Sequence, residues 1–441
     1  MLLGVYSLIN RHVREILAVG LALLCHSCIP VVNSQDFNGR FYVDADLESR
    51  SCNTYNLVNR SCNQGAEFAF RSLLNAINNI QPGLEILIQP GNYNGGMEIS
   101  SSGSEAQPIA LKALGPGVII SGSGSSRDAI FINDADYIVI DGIEVTGAER
   151  AGLRISQSDH VTVRNSTFQG NGSWGVFTDF SNYTTIENSI ASGSRTQHGI
   201  YISNSSDYPT IRNNRIFNNA AAGIHMNGDS SMGGDGVVSY GLIERNTIFE
   251  NGRRGASAIN LDGVTHTVIR NNLLYENHAS GISLYQIDGG SDAHSNRVMH
   301  NTVVMANDGR WALNIQDTRN NKLFNNIALN NNPFRGSILV RNPVQEGFES
   351  DFNYLKDSFA TDGEGSRRIY LDAWQSLGYD TNSSTGTGRR LFENYQQNNF
   401  RPLGNSPAID RGSVLELIED DLEGTPRPLG NGPDIGAFEI R

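Results

Sequence analysis

One short pattern recurs along the middle of this chain and leaves few folds open to it. Val163-Arg-Asn-Ser-Thr-Phe168 resembles Ile211-Arg-Asn-Asn-Arg-Ile-Phe217, Ile243-Glu-Arg-Asn-Thr-Ile-Phe249 and Ile269-Arg-Asn-Asn-Leu-Leu-Tyr275. Weaker copies begin at Ile140, Ile186, Val298 and Leu323. Their turn asparagines, Asn165, Asn188, Asn214, Asn246, Asn272, Asn301 and Asn326, are separated by 23, 26, 32, 26, 29 and 25 residues. Asparagine suits such a turn because its amide extends a ladder of neighbouring amides and because it tolerates a left-handed backbone. A second element follows each turn, reading Gly, apolar, variable, apolar: Gly152-Leu-Arg-Ile155, Gly175-Val-Phe-Thr178, Gly199-Ile-Tyr-Ile202, Gly223-Ile-His-Met226, Ala258-Ile-Asn-Leu261, Gly281-Ile-Ser-Leu284 and Ala312-Leu-Asn-Ile315. Period two is a strand with one face inward and one outward. Short strands, tight turns and a nearly fixed period predict an all-β solenoid, a right-handed parallel β-helix.

A solenoid also explains the length. At 441 residues the chain is long for one ordinary core, whereas stacked coils grow in one dimension. Its net charge of -13 argues against a nucleic-acid partner, which would demand a basic face. Arg11 and Arg14 precede the short apolar run Ile16 to Leu24, and Val32-Asn33-Ser34 offers a cleavage site. Residues 1–34 therefore read as a secretory signal, its apolar run shorter than the roughly 20 residues that span a bilayer. The expected mature chain is exported to the periplasm, cell surface or exterior, has no transmembrane segment, and is a monomer. Removal of Cys25 and Cys28 would leave Cys52 and Cys62 as a pair, expected to form a disulfide. The expected organisation is a cap and first coils over 35–125, a helical core over 126–345, and an irregular C-terminal extension over 346–441. Within the cap, Phe68, Phe70, Leu73, Leu74, Ile77 and Ile80 have helical spacing and predict a capping helix over residues 66–80.

The coil pattern, the N-terminal strand ending Gln89-Pro-Gly-Asn-Tyr93, and the tail segments Asn405-Ser-Pro-Ala-Ile-Asp-Arg-Gly412 and Asp434-Ile-Gly-Ala-Phe-Glu439 together resemble the pectate-lyase-like superfamily, in particular its secreted bacterial β-helix members. The resemblance covers nearly the whole expected mature chain and implies the fold. It leaves the reaction open, since the superfamily includes lyases, hydrolases, epimerases, esterases and adhesins.

Stacking the coils turns the variable strand positions into outward columns. One reads Arg154, Phe177, Tyr201, His225, Asn260, Ser283, Asn314; the other reads Ser156, Asp179, Ser203, Asn227, Asp262, Tyr285, Gln316. Trp174, His198 and Trp311 precede the glycine-like positions. Neighbours in a column stand about 4.8 Å apart, within reach of one sugar ring. Proton abstraction beside a uronate carboxylate needs a base, an acid and a cation for the developing enolate. Here His225 or His198 is the candidate base, Tyr201 or Tyr285 the acid, with Asp262 beside them. Arg253 or Arg254 is the carboxylate clamp, and Trp174, Phe177, Asn227, Asn260, Gln316 and Trp311 are candidate substrate contacts. Asp229, Asp235, Asp288 and Asp292, in two loop insertions, are candidate Ca²⁺ ligands, although simple turn-forming Asp-Gly pairs account for them nearly as well. The expected partner is thus an acidic polysaccharide, cut by β-elimination or altered by C5 epimerisation. The alternatives are a glycoside hydrolase, built on paired carboxylates, and a non-catalytic carbohydrate-binding or adhesive solenoid.

Overall fold

The computed structural model describes residues 39–122, 127–316, 318–342, 346–415 and 418–441. The signal-peptide reading of residues 1–34 lies outside them. Among the described residues three long sheets stack coil upon coil, with 14, 12 and 12 strands. Each coil gives one strand to each sheet in turn. Thr162–Arg164 lies in sheet 1, Thr167–Gln169 in sheet 2 and Trp174–Asp179 in sheet 3. Successive coils pair in parallel with no slip, as in Val163↔Ile186↔Ile211↔Ile243↔Ile269. Those side chains point inward and are at most 1 % exposed, so each coil buries its aliphatic groups on the coil below. Burying one such Ile or Val stabilises the fold by about 1.5–3 kcal/mol.

The two uses of asparagine at the turn between sheets 1 and 2 fall on adjacent residues. Asn165, Asn188, Asn213, Arg245, Asn271, His300 and Asn325 take the left-handed backbone, with φ between 49° and 57°. The residue after each carries the ladder. Asn246 Oδ1 accepts from the Asn214 amide, Asn246 Nδ2 donates to Asn272 Oδ1 at 3.0 Å and to the Ile211 carbonyl at 2.9 Å, and the run continues through Asn301, Asn326 and Asn353. In the earlier coils Ser166 and Ser189 occupy the ladder position. Asn165 and Asn188 therefore stand one place before the ladder rather than in it.

The N-terminal cap differs in detail from the spacing-based expectation. Glu67–Phe70 is a strand, and the helix is only Leu73–Ile77, capped by the Ser72 hydroxyl. Phe68 and Phe70 pack on Phe41 at 5.8 and 5.2 Å, and that contact requires the strand pairing of Glu67–Phe70 beside Arg40–Val43. Cys52 and Cys62 form the disulfide, with Cα atoms 5.8 Å apart.

Coils continue beyond residue 345 through Glu349–Asp351, Tyr354–Leu355 and Phe359–Ala360. Buried Asp380 then closes the asparagine ladder, accepting from Asn353 Nδ2, Ser350 Oγ and Trp374 Nε1. The tail packs along sheet 2, where Phe392, Phe400, Ala437 and Phe438 cover Leu273, Val304, Ile327 and Leu329. The motif around Asp434 is a clamp: Arg427 pairs with Glu439 at 2.8 Å, and Asp434 O lies 3.1 Å from the buried His300 ring. With sheet 2 covered by the tail, the outward face of sheet 3 carries the residues singled out for chemistry.

Candidate functional site

Parallel pairing in sheet 3 sets the columns. Tyr201, His225, Asn260, Ser283 and Asn314 stand in register, as do Ser203, Asn227, Asp262 and Tyr285. Upstream, Arg154, Phe177 and Tyr201 continue the first column. Inward neighbours such as Ile224, Met226, Ile259 and Leu261 are fully buried and hold the strands rigidly.

His225 is 9 % exposed, with its ring stacked on Tyr201 at 5.0 Å and 6°. Its Nδ1 lies 2.9 Å from the Asn260 carbonyl oxygen and 3.0 Å from the Asn260 amide nitrogen. A backbone carbonyl can only accept, so we place the proton on Nδ1, which leaves the Nε2 lone pair available as a base. Burial pulls the ring's pKa down to about 4, the Asn260 carbonyl opposing only in part, and His225 is neutral at pH 7. His198 lies 4.6 Å away between ring centroids. Its Nδ1 accepts the Ala222 N–H at 3.1 Å, so Nε2 carries the hydrogen. Burial and then the neighbouring His225 hold its pKa well below 6.5.

The tyrosines have the opposite character. Asn260 Nδ2 donates to Tyr285 Oη at 2.5 Å, which leaves the phenolic hydrogen free to donate elsewhere. Burial, reinforced by the Asp262 charge, raises Tyr285 above its ordinary pKa. Burial likewise pushes Tyr201 up to about 12, and its oxygen lies 3.4 Å from Asn227 Nδ2. The site therefore sets neutral imidazoles beside phenols held protonated, an acid and base pairing created by environment.

This network opens into a groove of about 810 Å³ whose floor includes Asn260, Ser283, Tyr285, Asn314 and Gln316. Arg310, Arg335 and Arg341 line it, with Gly363 and Glu364 at the far side. None of these arginines was singled out from sequence. Arg341 was legible, because the second column extends one coil beyond Gln316 to reach it; Arg310 and Arg335 stand in turns outside the strand pattern. Arg253 and Arg254 are exposed in the preceding turn and do not line the groove.

The remaining expected residues are distributed as follows. Trp174 stacks on Phe177 at 4.6 Å and, with it, on Tyr201, extending the ring column upstream of the groove. Trp311 borders the groove but is 2 % exposed and packs with Leu339 and Ala360, so it forms part of the wall rather than an open stacking platform. Gln316 donates to Asn314 Oδ1 and Gly363 O. Asp262 accepts from the N–H groups of Ile287, Asp288 and Gly289, anchoring that loop. Asp179 pairs with Arg154 at 2.8 Å. The loop aspartates do not fit a Ca²⁺ site. Asp229 and Asp235 anchor their own turns, Asp292 pairs with Arg319, and among the described residues no three His, Cys, Asp or Glu side chains are grouped to hold a metal. Also among the described residues, no helix is long and apolar enough to cross a membrane.

Residues 117–234 match a family model described as a right handed beta helix region. No protein of curated function matches the sequence. Among solved structures, the chain is similar to the pectate lyase Pel9A, with a TM-score of 0.61 and 18 % identity over 91 % of this chain and 96 % of that one. An alginate lyase from Paenibacillus sp. gives a TM-score of 0.48 and 21 % identity over 63 % and 95 %. The A-module of a mannuronan C-5 epimerase, AlgE6, from Azotobacter vinelandii gives 0.48 and 15 % over 71 % and 92 %. At these identities the likeness is one of fold. The chain thus has a right-handed parallel β-helix fold, similar to that of pectate lyase Pel9A.

Proposed function

We propose that this protein is an exported enzyme acting on a uronate-containing polysaccharide by β-elimination or C5 epimerisation. The observation that carries the reading is the neutral His225, its Nδ1–H directed to a backbone carbonyl, stacked on Tyr201 and joined through Asn260 to Tyr285, with Asn260 and Tyr285 at the near end of an arginine-lined groove. His225 Nε2 takes the C5 proton of a bound uronate, and the electron pair passes into the carboxylate as an enolate. Tyr201, its ring stacked on His225, donates a hydrogen bond to that charge, while Arg310 and Arg341, three and four coils further on, pair with carboxylates of neighbouring sugars. In elimination the pair returns to form the C4–C5 double bond, and Tyr285 protonates the departing O4. In epimerisation a phenol returns a proton to C5 from the opposite face, and no bond to oxygen breaks.

Hydrolysis is the weaker reading on this face. It requires two available carboxyl groups, whereas Asp179 is paired with Arg154 and Asp262 is engaged by three backbone amides. Export is supported by the Cys52–Cys62 disulfide, since such bonds persist in oxidising compartments.

The test is absorbance near 235 nm over alginate, pectate, glycosaminoglycans and ulvan, together with proton NMR of the recovered polymer. A rise in absorbance identifies elimination, and altered C5 configuration without a rise identifies epimerisation. Neither change on any of these polymers would overturn the proposal.

A further inference from the structure

The outward face of sheet 3 does not stay open to its end. At the two successive coils carrying Gln316 and Arg341, the segment 362–365 crosses it. Gln316 Nε2 donates to Gly363 O at 3.3 Å, and Arg335 Nη1 donates to Glu364 O at 3.0 Å. The segment is held in shape by Asp362, whose carboxylate accepts from the N–H groups of Gly365, Ser366 and Arg367 at 2.6, 2.9 and 2.8 Å. It is also pressed against both neighbours. A Cβ at Gly363 would lie 2.8 Å from Arg341 Cγ, and one at Gly365 would lie 2.5 Å from Trp311 Nε1. Gly363 and Gly365 both have left-handed φ, 73° and 69°, so the crossing needs glycine for backbone as well as space. Beyond it, Arg368–Ile369 turns back antiparallel to Phe359–Ala360 and ends the sheet.

We propose that segment 362–365 makes the groove blind-ended, so that it seats the terminal sugars of an acidic glycan rather than the middle of a chain. This rests on the reading that the groove binds such a polymer. From Asn260 to Leu339 the floor spans three register steps, about 14 Å at ~4.8 Å per strand, a length for about three sugar rings. The arginines at the closed end supply charge for the carboxylates of those last rings. A polymer reacting at the His225 end therefore has its terminus against the wall, and the position of reaction is counted from that terminus.

The deciding measurement is the number of protein molecules bound per chain, by calorimetry and sedimentation. It uses the His225→Ala protein with size-fractionated alginate and polygalacturonate from about 6 to 60 sugars. End recognition gives one protein per chain at every length. A count that grows with length overturns the proposal. Asp362→Ala, which frees the segment, and a variant replacing 362–367 with two glycines should both shift the count toward length dependence. If either variant fails to fold, the His225→Ala count still decides. Binding of any of these polymers without turnover of alginate, pectate, glycosaminoglycans or ulvan by the unaltered protein would overturn the lyase or epimerase reading alone, whereas no binding to any of the four would overturn both.

Discussion

Two columns of stacked rings run along this molecule, and they differ in almost everything except their spacing. The first, on sheet 3, stacks Trp174, Phe177, Tyr201 and His225 at 4.6, 5.2 and 5.0 Å. The second follows the turns that enter sheet 1 and stacks Tyr137, His160, Tyr183, Tyr208, Tyr240 and His266 at 4.6 to 5.1 Å. Every ring of the second column sits on a left-handed residue, with φ between 51° and 58°, and Tyr183, Tyr208 and Tyr240 are 42–52 % exposed. Those rings cover one another's faces and show water only their edges. The repeat alone brings like rings together in both places. Only in the first does the surrounding fold exclude water, and exclusion of water turns a stacked histidine into a neutral base.

The largest expected contrast is in turnover. His225→Ala should lower kcat/KM by about 10²–10⁴, the usual contribution of a general base, while His160→Ala leaves it within about twofold. Equal losses would break the comparison, and the kinetic assay of the proposed reaction reads both.

The second contrast is in pH. His225 has its pKa lowered in the folded protein, so its stabilising contribution is complete above the unfolded value near 6.5 and declines as pH falls toward about 4. The full loss is about 3 kcal/mol, readable as urea midpoints between pH 7 and pH 4. His225→Gln should flatten that part of the profile, which His198 and His300, shifted in the same direction, would still slope. The acid limb of kcat/KM should likewise lie near pH 4 rather than near 6.5.

A third measurement separates stacking from amide ladders as the force that holds turns in register. Asn246→Ala removes the partner of the buried Asn214 amide and of the Ile211 carbonyl, and should cost about 2 kcal/mol. Tyr208→Ala, in the exposed column, should cost about 1 kcal/mol. Denaturant titration of the two variants would reverse that order if the exposed rings were the stronger tie.

Much of this was legible before the structure. The glycine, apolar, variable, apolar strands predicted which residues face outward, and parallel pairing puts Tyr201, His225 and Asn260 side by side. A solenoid permits that inference because consecutive coils stack without slipping, so sequence period becomes spatial neighbourhood. Legibility failed where a residue's surroundings come from outside the period. Trp311 read as a sugar platform, but Leu339, Ala360 and the segment near Gly365 cover it. Asp262 read as catalytic, but a loop insertion brings three amides onto its carboxylate. At the N-terminus Phe68 and Phe70 fit a helical spacing until pairing with Arg40–Val43 drew them into a strand.

By itself, then, the sequence determined the coil, its left-handed turns, its inward aliphatic rows and its outward columns. Each depends only on alternation within a strand and on repetition from coil to coil. The tertiary structure alone decided which histidines are buried, which arginines line the groove, and that segment 362–365 crosses its end. Those properties depend on how non-repeating segments fold back over the repeat. Solvent exclusion and charge proximity are set by what covers a residue in space, and no period in the chain encodes that cover.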